Sequence, residues 1–239
     1  MQLFYSPEIN SNSSSFSFSK EESRHIIKVL RKIEGDLLAI TDGHGGLYNA
    51  EITQANSKKC VVHIRQAELK TKPWDYYLHI AIAPTKMNDR MEWFLEKATE
   101  IGIDEITPVI CDHSERRVIK SERMQKVLIS AMKQSLKCEL PKLNEAIPLK
   151  DFLERRHKGL KLIAHCQETE RTDPKLLIGN HKSILMIIGP EGDFSDSEIN
   201  KALNLNFVPV TLGKSRLRTE TAGVVACHMT SMLHEKPNP

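Results

Sequence analysis

With 239 residues, 40% of them hydrophobic, the chain is long enough for one large or two modest domains with real cores. A net charge of only +3 excludes a polycation that binds through bulk charge, and no run approaches the roughly 18 apolar residues of a membrane span. Five cysteines, Cys60, Cys111, Cys138, Cys166 and Cys227, are dispersed without CxxC spacing, and Met1 to Pro7 lacks a basic-then-apolar leader. These features predict reduced thiols in a cytoplasmic protein.

The chain opens with a Ser-rich loop, Ser11 to Ser19, followed by a predicted helix from Glu21 to Ile33. Its apolar side is Ile26, Ile27, Leu30 and Ile33, and its basic side is Arg24, Lys28, Arg31 and Lys32. Strand signals follow at Leu37 to Thr41 and Leu47 to Ile52, joined by an Asp42 to Gly46 turn, and again at Cys60 to Ile64. The polar stretch Lys70 to Pro73 closes this small β-rich unit, which gives a first domain over 1–72 and a second over 73–239.

From Tyr76 the pattern becomes βαβα. Strands are predicted at Tyr77 to Ala83, Glu105 to Cys111, Lys161 to Cys166, Ile184 to Ile188 and Val208 to Leu212. Helices are predicted near Asn88 to Ile101, Ser121 to Leu136, Ser195 to Leu203 and Thr219 to His234, with a frayed tail over 236–239. Apolar strands separated by amphipathic helices specify an α/β domain whose parallel sheet is covered on both faces. Residues 113–142 hold eight Lys or Arg against three Glu, which suits either a solvated helix face or a phosphate-contacting surface.

Two strand-loop-helix units stand out near the end. The run Ser183 to Ile188 stops at Gly189-Pro190-Glu191-Gly192-Asp193-Phe194, after which Ser195 and Glu198 form a capping-box pattern. The run Val208 to Leu212 breaks into Gly213-Lys214-Ser215-Arg216-Leu217-Arg218-Thr219-Glu220-Thr221-Ala222. Both loops leave the carboxyl ends of strands, where open α/β sheets place ligands. Gly213-Lys214-Ser215 is not a P-loop, because Val208 stands where that motif needs a glycine. The ten histidines show no metal-ligand spacing, so no metal site is expected.

The two loops closely resemble the signature loops of the RsmE-type 16S rRNA uridine-N(3)-methyltransferases of the SPOUT class. Lys86 to Arg90, then Glu96 to Gly102 and Ile106 to Pro108, are similar to that family's first catalytic-domain helix and second strand. His25 with Val29 to Arg31 is similar to its N-terminal motif. The chain departs from the pattern at Asp193, where the family has Gly, at Ser215-Arg216, and at Lys137, where it has Arg.

The resemblance implies a PUA-like RNA-binding barrel followed by a SPOUT domain threaded into a trefoil knot, an exception to unknotted topology. It implies S-adenosylmethionine as cofactor, bound by Ile188, Gly189, Pro190, Glu191, Gly192, Leu212, Gly213, Leu217 and Thr219, with adenine held by backbone groups of the loops from Ile188 to Gly192 and from Leu212 to Leu217. It also implies a homodimer acting on 16S rRNA or the assembled small subunit. Arg24, Lys28, Arg31, Lys86, Arg90, Arg116, Arg117 and Arg123 are the expected RNA contacts.

The sulfonium methyl is already electrophilic, so what the reaction asks of the protein is orientation and charge placement. Nitrogen 3 of uracil must lose its imide proton, for which Arg218 is the expected stabiliser of the uracil anion. Glu220 is the expected orienter or proton acceptor, set against ordinary placement of an acid in a helix's first turn. A related knotted transfer-RNA enzyme and a noncatalytic RNA-binding assembly factor are the alternative readings.

Overall fold

A computed structural model describes residues 2–235, so the tail expected to fray lies outside the described residues. The chain divides into two compact units, Met1–Pro73 with Met132–Leu140, and Trp74–Ala131 with Pro141–Pro239.

The first unit contains β1 (Leu3–Tyr5), β2 (Ser15–Ser17), α1 (Lys20–Arg24), β3 (Leu37–Thr41), β4 (Gly46–Gln54) and β5 (Val61–Leu69). Its sheet runs β1-β3-β4-β5-β2. Only β1 on β3 is parallel. The β3–β4 hairpin forms where predicted, because Asp42 Oδ1 accepts from the His44 and Gly46 amides at 2.7 and 3.0 Å. Gly43 and Gly45 supply φ values of +79° and +92° that a turn this tight requires.

Two expectations for this unit need correction. The Ser-rich segment is not all loop: Ser15-Phe16-Ser17 pairs with β5, and Phe16 packs edge-on against Phe18 at 5.1 Å. The helix expected from Glu21 to Ile33 is regular only to Arg24, then widens into a π-helical turn over His25–Val29. Leu30 donates its amide to the His25 carbonyl at 3.0 Å, and Arg31 ends the turn at φ +56°. The extra residue per turn rotates the face that follows, so Ile26 is buried while Ile33 is 66% exposed.

The second unit contains β6 (Tyr77–Ile82), α2 (Asn88–Ile101), β7 (Glu105–Ile110), α3 (Ser121–Gln134) as far as Ala131, β8 (Lys142–Leu143), β9 (Ile147–Pro148) and α4 (Leu149–Leu153). It continues with β10 (Leu160–Ala164), α5 (Lys175–Ile178), β11 (Ser183–Ile188), α6 (Asp196–Asn204), β12 (Val208–Val210) and α7 (Thr219–His234). Its sheet runs β12-β10-β11-β6-β7-β8, with β9 also on β7, and every pairing is parallel.

Alternation along the strands sends Ala81, Leu185 and Ile187 into one core with Phe152 of α4 and Ile199 of α6. On the other face α7 packs on α2 and on β6 and β11. A Cβ on Gly223 of α7 would lie 2.6 Å from the Phe94 ring of α2, so glycine permits that close approach. The strand order has one consequence for function. Because β10 lies between β11 and β12, the residues just past its end sit between the two glycine loops.

Candidate active site

The loop after β11 is held rigid from several sides. Thr219 Oγ1, buried in the first turn of α7, donates to the Gly189 carbonyl at 3.0 Å. Asp193 adopts φ +61°, a conformation that Asp tolerates better than most residues. Its Oδ2 accepts from the Cys166 amide at 2.8 Å and its Oδ1 from the Phe194 amide at 3.0 Å. Asp at this position therefore keeps the backbone geometry that glycine would supply and ties the loop to the end of β10.

The loop after β12 depends on Gly213, whose φ of +126° disfavours any side chain although a Cβ there would meet open space. Thr211 Oγ1 donates to the Gly213 carbonyl at 2.9 Å, and Arg216 Nη2 donates to the Glu191 carbonyl at 3.2 Å. Gly189 also serves the packing of its loop. A Cβ there would sit 2.9 Å from the Phe194 ring, so a larger residue would disturb the fold as well as any ligand.

A cleft of about 630 Å³ is lined by Ala164, His165, Cys166, Leu212, Gly213 and Leu217, among others. An adjoining recess of about 60 Å³ is lined by Ile188, Gly189, Pro190, Glu191 and Thr219, and shares Ala164, Leu217 and Ala222 with the cleft. Gly192 lines neither, and lies against His113, whose Nδ1 is 3.1 Å from its carbonyl oxygen. The apolar surfaces and exposed peptide edges suit a flat heterocycle with hydrogen-bonding edges.

No local pattern marks His165, Cys166, Arg171 and Asp173, which wall the cleft from the β10 side. Arg171 Nη1 donates to the His165 carbonyl at 2.7 Å. The His165 ring is buried with neither nitrogen partnered, and burial pushes its pKa down, with Asp193 opposing and Arg171 adding to that effect.

At the start of α7, Arg218 is exposed and occupies the N-cap position, with extended backbone angles of −72° and 157°. Glu220 is buried, which separates it from an ordinary solvated acid in a first turn. Its Oε1 lies 3.9 Å from Arg90 Nε, and its Oε2 has no partner.

Lys86 pairs with Glu115 at 2.9 Å and offers its carbonyl to Arg116, at 3.0 and 2.7 Å from Nε and Nη2. The Lys86 amide donates to Glu191 Oε1 at 3.2 Å, which brings Lys86 and Arg116 to the first glycine loop. Arg117 donates to the Asp112 carbonyl at 3.1 Å, and Arg123 is held bidentately by Glu92 at 2.5 and 3.1 Å. In the first unit Arg24, Lys28 and Arg31 are exposed, and none has an ion pair or side-chain hydrogen bond among the described residues. Lys97 bridges Glu96 and Glu100 at 2.7 and 2.9 Å, so this triad stabilises α2.

Residues 72–231 match the RNA methyltransferase domain family. The chain belongs to that family. Residues 18–65 of this RNA methyltransferase match the family's PUA domain, so a PUA-like domain precedes a SPOUT-type methyltransferase domain. A Buchnera aphidicola protein named ribosomal RNA small subunit methyltransferase E is 32% identical, over 88% of this chain and 85% of its own. A Porphyromonas gingivalis structure described as a probable rRNA-methyltransferase is 44% identical with a TM-score of 0.90, covering 98% of both chains. The Neisseria gonorrhoeae ribosomal RNA small subunit methyltransferase E, solved bound to S-adenosyl methionine, is 27% identical with a TM-score of 0.86, again over 98% of both chains.

Proposed function

We propose that the protein transfers the methyl group of S-adenosylmethionine to nitrogen 3 of a uridine in 16S rRNA of the small ribosomal subunit. The observation that carries this reading is the pair of glycine loops, locked together by Thr219 and Gly189 around a cleft, with Arg218 and Glu220 directly following on α7. The family match and the relatives named as small-subunit rRNA methyltransferases support the substrate class.

The cofactor supplies an activated methyl group. Ile188 to Glu191, Leu212, Gly213, Leu217 and Thr219 hold its flat base and exclude water from it. Arg218, solvent-facing at the N-cap, meets the developing charge on the uracil oxygens with a planar fork. Glu220 Oε2, buried without a partner, is the acceptor for the imide proton. RNA phosphates are met by Arg24, Lys28 and Arg31 in the PUA-like domain and by Lys86, Arg116 and Arg117 beside the glycine loops. The knot and a homodimer that completes each site belong to this reading through the family resemblance, as does a cytoplasmic place of action. No helix among the described residues is long and apolar enough to cross a membrane.

The test is to map modified uridines in small-subunit rRNA from a strain lacking the gene, then to add the purified protein and cofactor. A single uridine that loses, then regains, its N3-methyl group is the expected result. Methyl transfer to transfer RNA alone, or to no RNA, overturns the assignment. Running naked rRNA and assembled subunits in parallel identifies which form is the substrate.

A further inference from the structure

We propose that Arg90 is a positioning residue for methyl transfer, holding the Glu220 carboxyl group in place rather than binding an RNA phosphate. This rests on the reading of Glu220 as the proton acceptor.

Arg90 lies in the first turn of α2 and Glu220 in the first turn of α7. The two helices are fixed against each other at Gly223, where Phe94 comes so close that a Cβ would meet it at 2.6 Å. That contact sets the separation of the two side chains, with Arg90 Nε 3.9 Å from Glu220 Oε1. The Glu220 side chain is 8% exposed, and a carboxyl group so far removed from water is costly to keep without a cation or donors. Arg90 is the only cation paired with it among the described residues.

The geometry divides the two carboxyl oxygens. Oε1 faces the guanidinium, whereas Oε2 is buried and unpartnered two residues along the helix from Arg218. An Arg at this point therefore fixes one oxygen and leaves the other to accept the imide proton. A phosphate ligand would compete with Glu220 for the same guanidinium and release the carboxyl group from its position.

Arg90→Gln, Arg90→Lys, Glu220→Gln and the Arg90→Gln/Glu220→Gln pair are compared in single-turnover methylation at saturating RNA, with RNA affinity measured across a salt series. Arg90→Gln is expected to slow turnover by on the order of tenfold to a hundredfold, since small displacements of a reacting group carry costs of that size. Its RNA affinity and salt slope stay at wild-type values. Arg90→Lys recovers part of the loss, and the double variant is no slower than Glu220→Gln alone, because Arg90 acts through Glu220. Thermal unfolding of each variant confirms the fold.

An Arg90→Gln protein with wild-type turnover, or one whose salt slope falls by about one unit, makes Arg90 a phosphate contact or a bystander. A double variant slower than Glu220→Gln also overturns the inference. If wild-type protein methylates no RNA, the functional reading itself has failed. If wild-type protein is active and only the Arg90 variants behave otherwise, the inference alone has failed.

Discussion

Thr219 donates a hydrogen bond to the Gly189 carbonyl at 3.0 Å, tying the first turn of α7 to the loop after β11. One buried hydroxyl therefore ties the helix that follows the second glycine loop to the first loop, alongside the Arg216 bond to the Glu191 carbonyl. Thr219→Val preserves the side-chain shape and leaves the Gly189 carbonyl without this donor. The expected cost is about 1–3 kcal/mol of stability, measured by denaturant unfolding, together with weaker S-adenosylmethionine binding measured by calorimetry. Thr219→Ser, which keeps the hydroxyl, should recover most of the binding.

The two loop glycines should separate experimentally. Gly189→Ala brings a Cβ into the Phe194 ring and should lower thermal stability, with part of the loss restored by a second change, Phe194→Leu. Gly213→Ala meets no neighbour but forces alanine into φ +126°, so its effect is backbone strain of about 1–3 kcal/mol and a displaced cofactor loop. Unfolding midpoints for the three variants decide this. Equal destabilisation by the two alanines, with no recovery in the double variant, contradicts it.

Arg218→Lys keeps the charge and loses the planar fork. Turnover is expected to fall by on the order of a hundredfold, as on removal of one preorganised donor. Raising the pH should restore part of the activity, because more uracil is then deprotonated before it binds. Full turnover with weakened RNA binding would instead make Arg218 a phosphate contact.

Among the basic residues, those without an internal partner should dominate the salt dependence of RNA binding. Removing Arg24, Lys28 or Arg31 should each reduce the log-log slope by about 0.7–0.9. Arg123→Gln should change it much less, since Glu92 already holds that guanidinium at 2.5 Å. A filter-binding series from low to high salt measures both.

Acid should destabilise the fold through His79 and Glu105, which sit in one partly buried network at the far end of the sheet. Burial holds His79 at about 4, below its ordinary 6.5, with Glu105 opposing the shift in part. Burial alone would raise Glu105, but hydrogen bonds from Asn144, Tyr77 and Lys142, with the His79 charge, hold it at about 2 instead of 4.5. Both folded values lie below the unfolded ones, so the unfolded chain binds more protons and stability falls as pH drops. For His79 the loss runs from about pH 6.5 to 4, and for Glu105 from about 4.5 to 2. In the upper window His79→Leu should reduce the slope of unfolding free energy against pH by about 1.4 kcal/mol per unit.

Much of this protein was legible along the chain. Apolar runs separated by amphipathic segments specified the parallel sheet, and β3, α2 and α7 begin and end at the residues predicted. Ser195 and Glu198 form the predicted capping box, because both partners lie within one helical turn. Local patterns succeed where the interacting groups are a few residues apart. They fail where one extra residue enters a turn, as at His25–Val29, or where an expected loop finds a distant strand, as Ser15–Ser17 finds β5.

The site was legible only in its loops. That His165, Cys166 and Arg171 stand between the two loops follows from β10 lying between β11 and β12, an order no local pattern encodes. Likewise Arg90 reads as one more basic residue until the packing of Phe94 on Gly223 brings it to Glu220, 130 positions away in the sequence. Residue type and local spacing were enough to mark which side chains could carry the chemistry. Tertiary packing decided their partners, because burial and distance across a sheet or between helices depend on contacts made far apart in the chain.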